Sequence, residues 1–293
     1  MSLGKAFAWG YNYNGELGND THGEGTEMNI SVAVSNLQGV KNVKAGCEHG
    51  LALKNDGTVR AWGYNYDGEL SNGNTGTDSD VPVRVKIDNV KAISAGCLHN
   101  LALKENGTVW ARGDNYYGEL GIGTYGAGTE SKVPVKVASL GTGVKAVAAG
   151  SGFSLALMKD GTVRSWGDDF HGQLGNGANP FRDEPGPVGN LSNVKAIATD
   201  GDAAHVLALL ENGTVRSWGR NYDGQLGDGS TLPGASRETP VRVANLTGVE
   251  AVAVGGLTPW RCFRVAGLSP GATTITESSA TAPMASTRTG ARL

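Results

Sequence analysis

The sequence predicts an all-β protein made of tandem four-stranded units of about fifty residues, and three observations carry that prediction. One signature returns along the chain, in the form T-V-R-A-W-G-Y-N-Y-D-G-E-L from Thr58 to Leu70. Its versions close on Gly10, Gly63, Gly113, Gly167 and Gly219, in steps of 53, 50, 54 and 52 residues. Asp56-Gly57, Asn106-Gly107, Asp160-Gly161 and Asn212-Gly213 each lie between two short apolar runs. That pairing marks a hairpin, and the expected turn is type I′, with both central residues at positive φ. Glycine makes up 46 of 293 residues without a Gly-X-Y period, so the surplus lies in turns rather than a collagen-like helix. Together these describe a β-propeller over residues 1–256, incomplete, with about five blades and a partial last unit.

Each element follows from local chemistry. Val81, Val83 and Val85 alternate with Pro82 and Arg84, the period of a half-buried strand, and Pro82 suits an edge. Val90 to Ala95, Leu101 to Lys104 and Thr108 to Ala111 supply three more strands, so the unit is expected to run from Val81 to Gly113. Trp9, Trp62, Trp166 and Trp218 end the last strand of their units, where each would bury a large ring between blades. Gly63 and Gly68 let the chain reverse, Asn65 can bond backbone within the turn, and Leu70 points inward. Arg112 stands where the others have tryptophan, so its blade should pack less well. Glu16, Glu69 and Glu119 alternate with Gln173 and Gln225. A position that accepts the amide is a hydrogen-bond acceptor rather than a catalytic acid, since an amide transfers no proton.

The repeat unit, with G-C-L-H-N-L-A-L-K-E-N-G-T-V from Gly96 followed by G-D-N-Y-Y-G-E-L-G from Gly113, resembles the repeat of the regulator of chromosome condensation family. The resemblance runs from residue 5 to about 256. It implies a β-propeller, commonly of seven blades. Members of that family act in nucleotide exchange on a small nuclear GTPase, β-lactamase inhibition, light sensing and scaffolding, so the resemblance implies the fold more firmly than any one activity. The tryptophans here come one per blade and are not clustered as a tryptophan-based light sensor needs.

Composition excludes several function classes. With 25 basic and 28 acidic residues and no basic run, the chain lacks the concentrated positive face of a nucleic-acid binder. No apolar run is long enough to span a membrane as a helix. Met1 to Ala8 lacks the regions of a signal peptide, which makes the cytoplasm the default expectation. Cys47, Cys97 and Cys262 show no C-x-x-C spacing, and free, partly buried thiols are expected. His49, His99 and His205 are repeat equivalents, with Phe153 in the fourth place, and read as structural histidines rather than a metal ring. No nucleophile elbow, phosphate loop, zinc-protease or calcium-loop pattern is present, so no catalytic residue, cofactor, metal or small-molecule substrate is expected.

The expected function is a non-catalytic scaffold that binds another protein. Tyr11, Tyr64, Tyr117 and His171 are the candidate contact residues, beside polar linkers at 19–31, 72–80, 122–132, 176–186 and 228–239. Tyr13, Tyr66, Tyr116, Phe170 and Tyr222 are expected in the core. Nucleotide exchange on a GTPase and inhibition of an enzyme are the alternatives, both by analogy.

After Gly256 the repeat stops, and residues 257–293 read either as a disordered Ser/Thr/Ala-rich tail or as a shifted reading frame. Reading from the third base of the Leu257 codon permits H-T-L-A-L, like His99 to Leu103. Further on, the Pro270/Gly271 junction permits TGG. The hidden text can then read W-G, four residues drawn only from His, Asn, Asp and Tyr, and G-E-L-G. One lost base just upstream would turn a sixth repeat into the printed tail.

Overall fold

A computed structural model describes residues 4–73, 76–177, 181–230 and 236–255. They form five antiparallel sheets. The first has two strands, β1 (Phe7–Gly10) and β2 (Met28–Ala33). Sheet two comprises β3 (Val40–Ala45), β4 (His49–Lys54), β5 (Val59–Gly63) and β6 (Ser79–Arg84). Sheet three comprises β7 (Val90–Ala95), β8 (His99–Lys104), β9 (Val109–Gly113) and β10 (Ser131–Lys136). Sheet four has β11 (Val144–Ala149), β12 (Phe153–Met158), β13 (Val163–Asp168) and β14 (Phe181–Pro187). Sheet five has β15 (Val194–Ala198), β16 (His205–Leu210), β17 (Val215–Gly219) and β18 (Arg237–Arg242). The architecture is an open β-propeller, with strands in chain order inside each sheet.

Two expectations about the units change. The strand at Val81 closes the preceding sheet, because β6 pairs with β5 across the linker (Arg60 opposite Arg84). The signature glycines therefore close the third strand of each four-stranded sheet, not the fourth; a bare period cannot say where a unit is cut. Phe7–Gly10 pairs only with β2 among the described residues, so the first sheet lacks the two inner strands that the other four have. The hairpins are not type I′. Gly57, Gly107, Gly161 and Gly213 alone have positive φ, while the Asp or Asn before each does not. Gly57 N–H donates to Lys54 O (3.0 Å) and Lys54 N–H to Thr58 O (2.9 Å), a type I turn closed by a glycine bulge. Asp56 holds it by accepting from Thr58 N–H (3.0 Å) and Thr58 Oγ (2.6 Å).

The core lies between sheets. One cluster joins Phe153, Leu155 and Leu174 of sheet four to Val206 and Trp218 of sheet five, and similar clusters fill the three earlier interfaces. Pro82, Pro134 and Pro240 sit in the outermost strands, where a missing N–H breaks no ladder. The innermost strands β3, β7, β11 and β15 pack beside one another in that order. The tail beginning at Leu257 lies outside the described residues.

Candidate protein-binding face

The signature loop after each third strand repeats one set of bonds. Asn65 is fully buried, and its Oδ1 accepts the Leu70 N–H at 3.0 Å. Asn12, Asn115, Asp169 and Asn221 serve Leu17, Leu120, Leu174 and Leu226 in the same way, at 2.9–3.0 Å. The Glu/Gln position accepts the N–H two residues earlier in all five loops: Asn14 to Glu16, Asp67 to Glu69, Tyr117 to Glu119, His171 to Gln173 and Asp223 to Gln225. An acceptor oxygen is all that bond needs, which explains why either residue serves. Gly68 has φ +90°, and a Cβ there would lie 2.7 Å from Lys132 Cα of the next sheet, so the loop is pressed against its neighbour.

The indoles tie successive sheets together. Trp62 donates its N–H to Glu16 O (2.8 Å), Trp166 to Glu119 O (2.7 Å) and Trp218 to Gln173 O (2.9 Å). Trp9 differs: it is 49% exposed, because no described sheet precedes it. Arg112 is buried, and burial draws its guanidinium down to about 9 while Glu69 opposes the shift. Asn100 takes over the missing indole bond, donating to Glu69 O at 3.2 Å. Arg112 Nη1 and Glu69 Oε1 are buried without hydrogen bonds, and a cavity of about 10 Å³ lies in this interface. The expected weaker packing is visible there. Replacing Asn100→Ser and Arg112→Trp together would copy Ser154 and Trp166, which face one another in sheet four. The double variant is expected to be more stable by about 1–3 kcal/mol in urea unfolding, since it removes a buried charge that lacks full pairing; equal or lower stability would refute this.

Two side-chain expectations are overturned. Cys47 and Cys97 are not free thiols but a disulfide, with Cα atoms 4.6 Å apart. Equivalent positions on adjacent sheets converge where the innermost strands end, so residues 50 apart in sequence become neighbours. Tyr13, Tyr66, Tyr116, Phe170 and Tyr222 are not core residues; they are 43–78% exposed. The Asn or Asp one residue earlier points inward to make its leucine bond, and the aromatic beside it is turned to solvent.

Of the candidate contact residues, Tyr11 and Tyr117 are exposed while Tyr64 and His171 are half-buried. Each pairs with one of the exposed rings. Tyr11 stacks on Tyr13 (6.4 Å) and Tyr64 on Tyr66 (6.3 Å). Tyr116 meets Tyr117 and Phe170 meets His171 edge-on, both at 5.0 Å, and Tyr222 closes on His171 at 5.4 Å. One aromatic group thus stands at the same end of every sheet. Carboxylates lie among them. Burial raises Tyr64 to about 12, with Glu69, Asp67, Glu48 and Asp78 adding to the shift. Burial and Asp168 raise Tyr117 in the same sense, and Asp67 is raised by burial, Asp114 and Glu130. The face is aromatic and acidic. The linkers lie at this end too: Gly123 N–H donates to Asp183 O (2.9 Å) and Gly177 N–H to Glu238 O (2.8 Å), and Tyr125 meets Phe181 edge-on at 4.6 Å.

Beneath it sit the histidines. His49 Nε2–H donates to Asn100 Oδ1 (2.7 Å), and His99 Nε2 bonds Ser154 Oγ (2.8 Å), each reaching the next sheet. Burial lowers His49 to about 4, His99 to about 3 and His205 to about 4. Burial raises Glu69 and Glu119 to about 8 and Asp169 to about 7. The two sets act in opposite directions. The histidines lose stability as pH falls from about 6.5, because the unfolded chain takes up their protons first. The carboxyls lose it as pH rises toward about 8, because the folded state keeps its protons longer. Between pH 6.5 and 8 only the carboxyls act, so melting temperature is expected to fall over that interval. Glu119→Gln, which copies Gln173, should flatten the fall, and calorimetry at the two pH values checks it.

A profile of the RCC1-like domain family matches residues 1–259. The chain is similar to the human E3 ubiquitin-protein ligase HERC2, 33% identical over 87% of this chain and 4% of that protein. It is also similar to the Arabidopsis thaliana ultraviolet-B receptor UVR8, 31% identical over 78% of this chain and 52% of that one. Among solved structures, human WBSCR16 superposes with a TM-score of 0.74 at 25% identity, over 85% of this chain and 65% of that one. The chain therefore spans less than two thirds of each of these relatives.

Proposed function

The chain belongs to the RCC1-like domain family, and from that premise we propose that it is a non-catalytic scaffold whose aromatic, acidic face binds a Lys/Arg-rich segment of another protein. The observation that supports this reading is the repeated exposure of Tyr66, Tyr116, Phe170 and Tyr222 at one end of successive sheets, among carboxylates. Exposed rings offer stiff apolar area and their faces attract cations; Arg220 already lies 5.1 Å from the Tyr222 ring centre. The nearby carboxylates favour the same partner and would speed its approach. Nucleotide exchange and enzyme inhibition remain readings by analogy, with no particular feature of this face behind them.

The triple variant Tyr66→Ala, Tyr116→Ala and Phe170→Ala tests the proposal. These rings are exposed, so stability should change by only about 0.5 kcal/mol per site. Affinity for a lysine-rich peptide, measured by calorimetric titration at low salt, should drop about tenfold or more. Unchanged affinity would remove the face from the account.

A further inference from the structure

We infer that residues 257–293 are a sixth repeat read one base out of register, and that the far side of the fifth sheet, centred on the Gln225 carbonyl, is the seat for that repeat's tryptophan. The inference concerns the fold and stands apart from the partner-binding proposal.

The first support is the beginning of another sheet. Val90 N–H donates to Gly57 O and Val194 N–H to Gly161 O, both at 3.0 Å, and each bond starts the innermost strand of a new sheet. Val249 N–H makes the same bond to Gly213 O at 3.0 Å. The segment it opens, V-E-A-V-A-V, follows the pattern of V-K-A-I-S-A at Val90 to Ala95. Val249, Val252 and Val254 pack on Leu207, Leu209, Val215 and Val243, the core of the fifth sheet. The chain thus enters a sixth position with the same opening bond, and with apolar packing on the fifth sheet.

The second support is a ruler. Each indole reaches back to a Glu or Gln carbonyl in the preceding sheet, across 46 residues for Trp62, 47 for Trp166 and 45 for Trp218. The Gln225 carbonyl stands next in that series, and among the described residues nothing donates to it. The same reach from Gln225 lands on 270–272, where the chain reads Pro270, Gly271 and Ala272. One base out of register, the Pro270/Gly271 junction can spell tryptophan, because a proline codon ending in T is followed by the two G of glycine. The distance comes from hydrogen bonds and the codon from the genetic code, and they meet at one position.

The text around that codon agrees with the repeat. The junctions from Ala272 to Thr276 permit only His, Asn, Asp or Tyr, and those from Thr276 to Ala280 permit G-E-L-G. Trp218-Gly219 is followed by R-N-Y-D and then G-Q-L-G. Tryptophan and glycine, four turn residues, then a Glu or Gln loop is the order at four of the five signatures, with Arg112 in place of tryptophan at the other.

Sequencing the coding DNA across codons 256–283 is the primary test. The expected result is TGG across the Pro270/Gly271 junction, with H-T-L-A-L and G-E-L-G legible in the same frame. A proline codon ending in any base but T overturns the inference. The restored-frame protein, made by inserting one base before codon 257, gives a second readout by hydrogen exchange. Amides of Val249 to Val254 are expected to exchange about tenfold or more slowly than in the printed chain, because they gain strand partners. Equal exchange in the two soluble proteins would mean that the seat is not filled by that repeat.

Discussion

Trp166→Ala is expected to destabilise the fold by about 3–5 kcal/mol, the usual cost of emptying a fully buried aromatic site. Its ring is 0% exposed between the third and fourth sheets, and its N–H bonds Glu119 O at 2.7 Å. Truncation therefore removes packing and takes the indole donor from the carbonyl, leaving Ser154 Oγ (2.9 Å) to donate to it. Trp9→Ala is the control. The two tryptophans hold the same place in the repeat, but Trp9 is half exposed, and its loss should cost less than about 1 kcal/mol. Urea unfolding of both variants checks the contrast. Similar losses at the two sites would show that the indole does not work through the contact between sheets.

Loss of the Cys47–Cys97 disulfide is expected to have an effect of comparable size. The bond joins the second and third sheets and spans 50 residues of sequence. A loop of that length confines the unfolded chain by about 4 kcal/mol in the chain-entropy account. Cys47→Ser with Cys97→Ser should lower the urea midpoint accordingly. Dithiothreitol should lower the parent protein to the same value and leave the double variant unchanged. A parent protein indifferent to reductant would contradict the crosslink.

The repeat was legible because its chemistry is local. A turn that needs glycine, an Asn that must reach a leucine five residues on, and an acceptor two residues beyond its donor leave their marks at fixed spacing. Contacts between repeats were harder to read. Cys47 and Cys97 look unrelated along the chain and meet only when adjacent sheets are stacked. Where a unit is cut was equally hidden, since a period is the same wherever it starts. Which rings of the signature loops face solvent was half legible. Tyr11, Tyr64, Tyr117 and His171 do stand in the signature loops, yet in the second, third and fourth sheets the more exposed rings are their neighbours Tyr66, Tyr116 and Phe170, while in the first Tyr11 is more exposed than Tyr13. A signal for them was present: Asn65 must turn inward to hold Leu70, so Tyr66 beside it faces out. Large rings more often form cores, and that general tendency masks the alternation.

The central claim is that the aromatic, acidic end of the sheets is where another protein binds. Oxidative footprinting of the chain, free and saturated with the lysine-rich peptide, tests it most directly. Reduced labelling is expected at Tyr66, Tyr116, Phe170 and Tyr222, with Trp9 and Ile30 unchanged. Labelling that falls at Trp9 and Ile30 and stays constant at the four rings would contradict it.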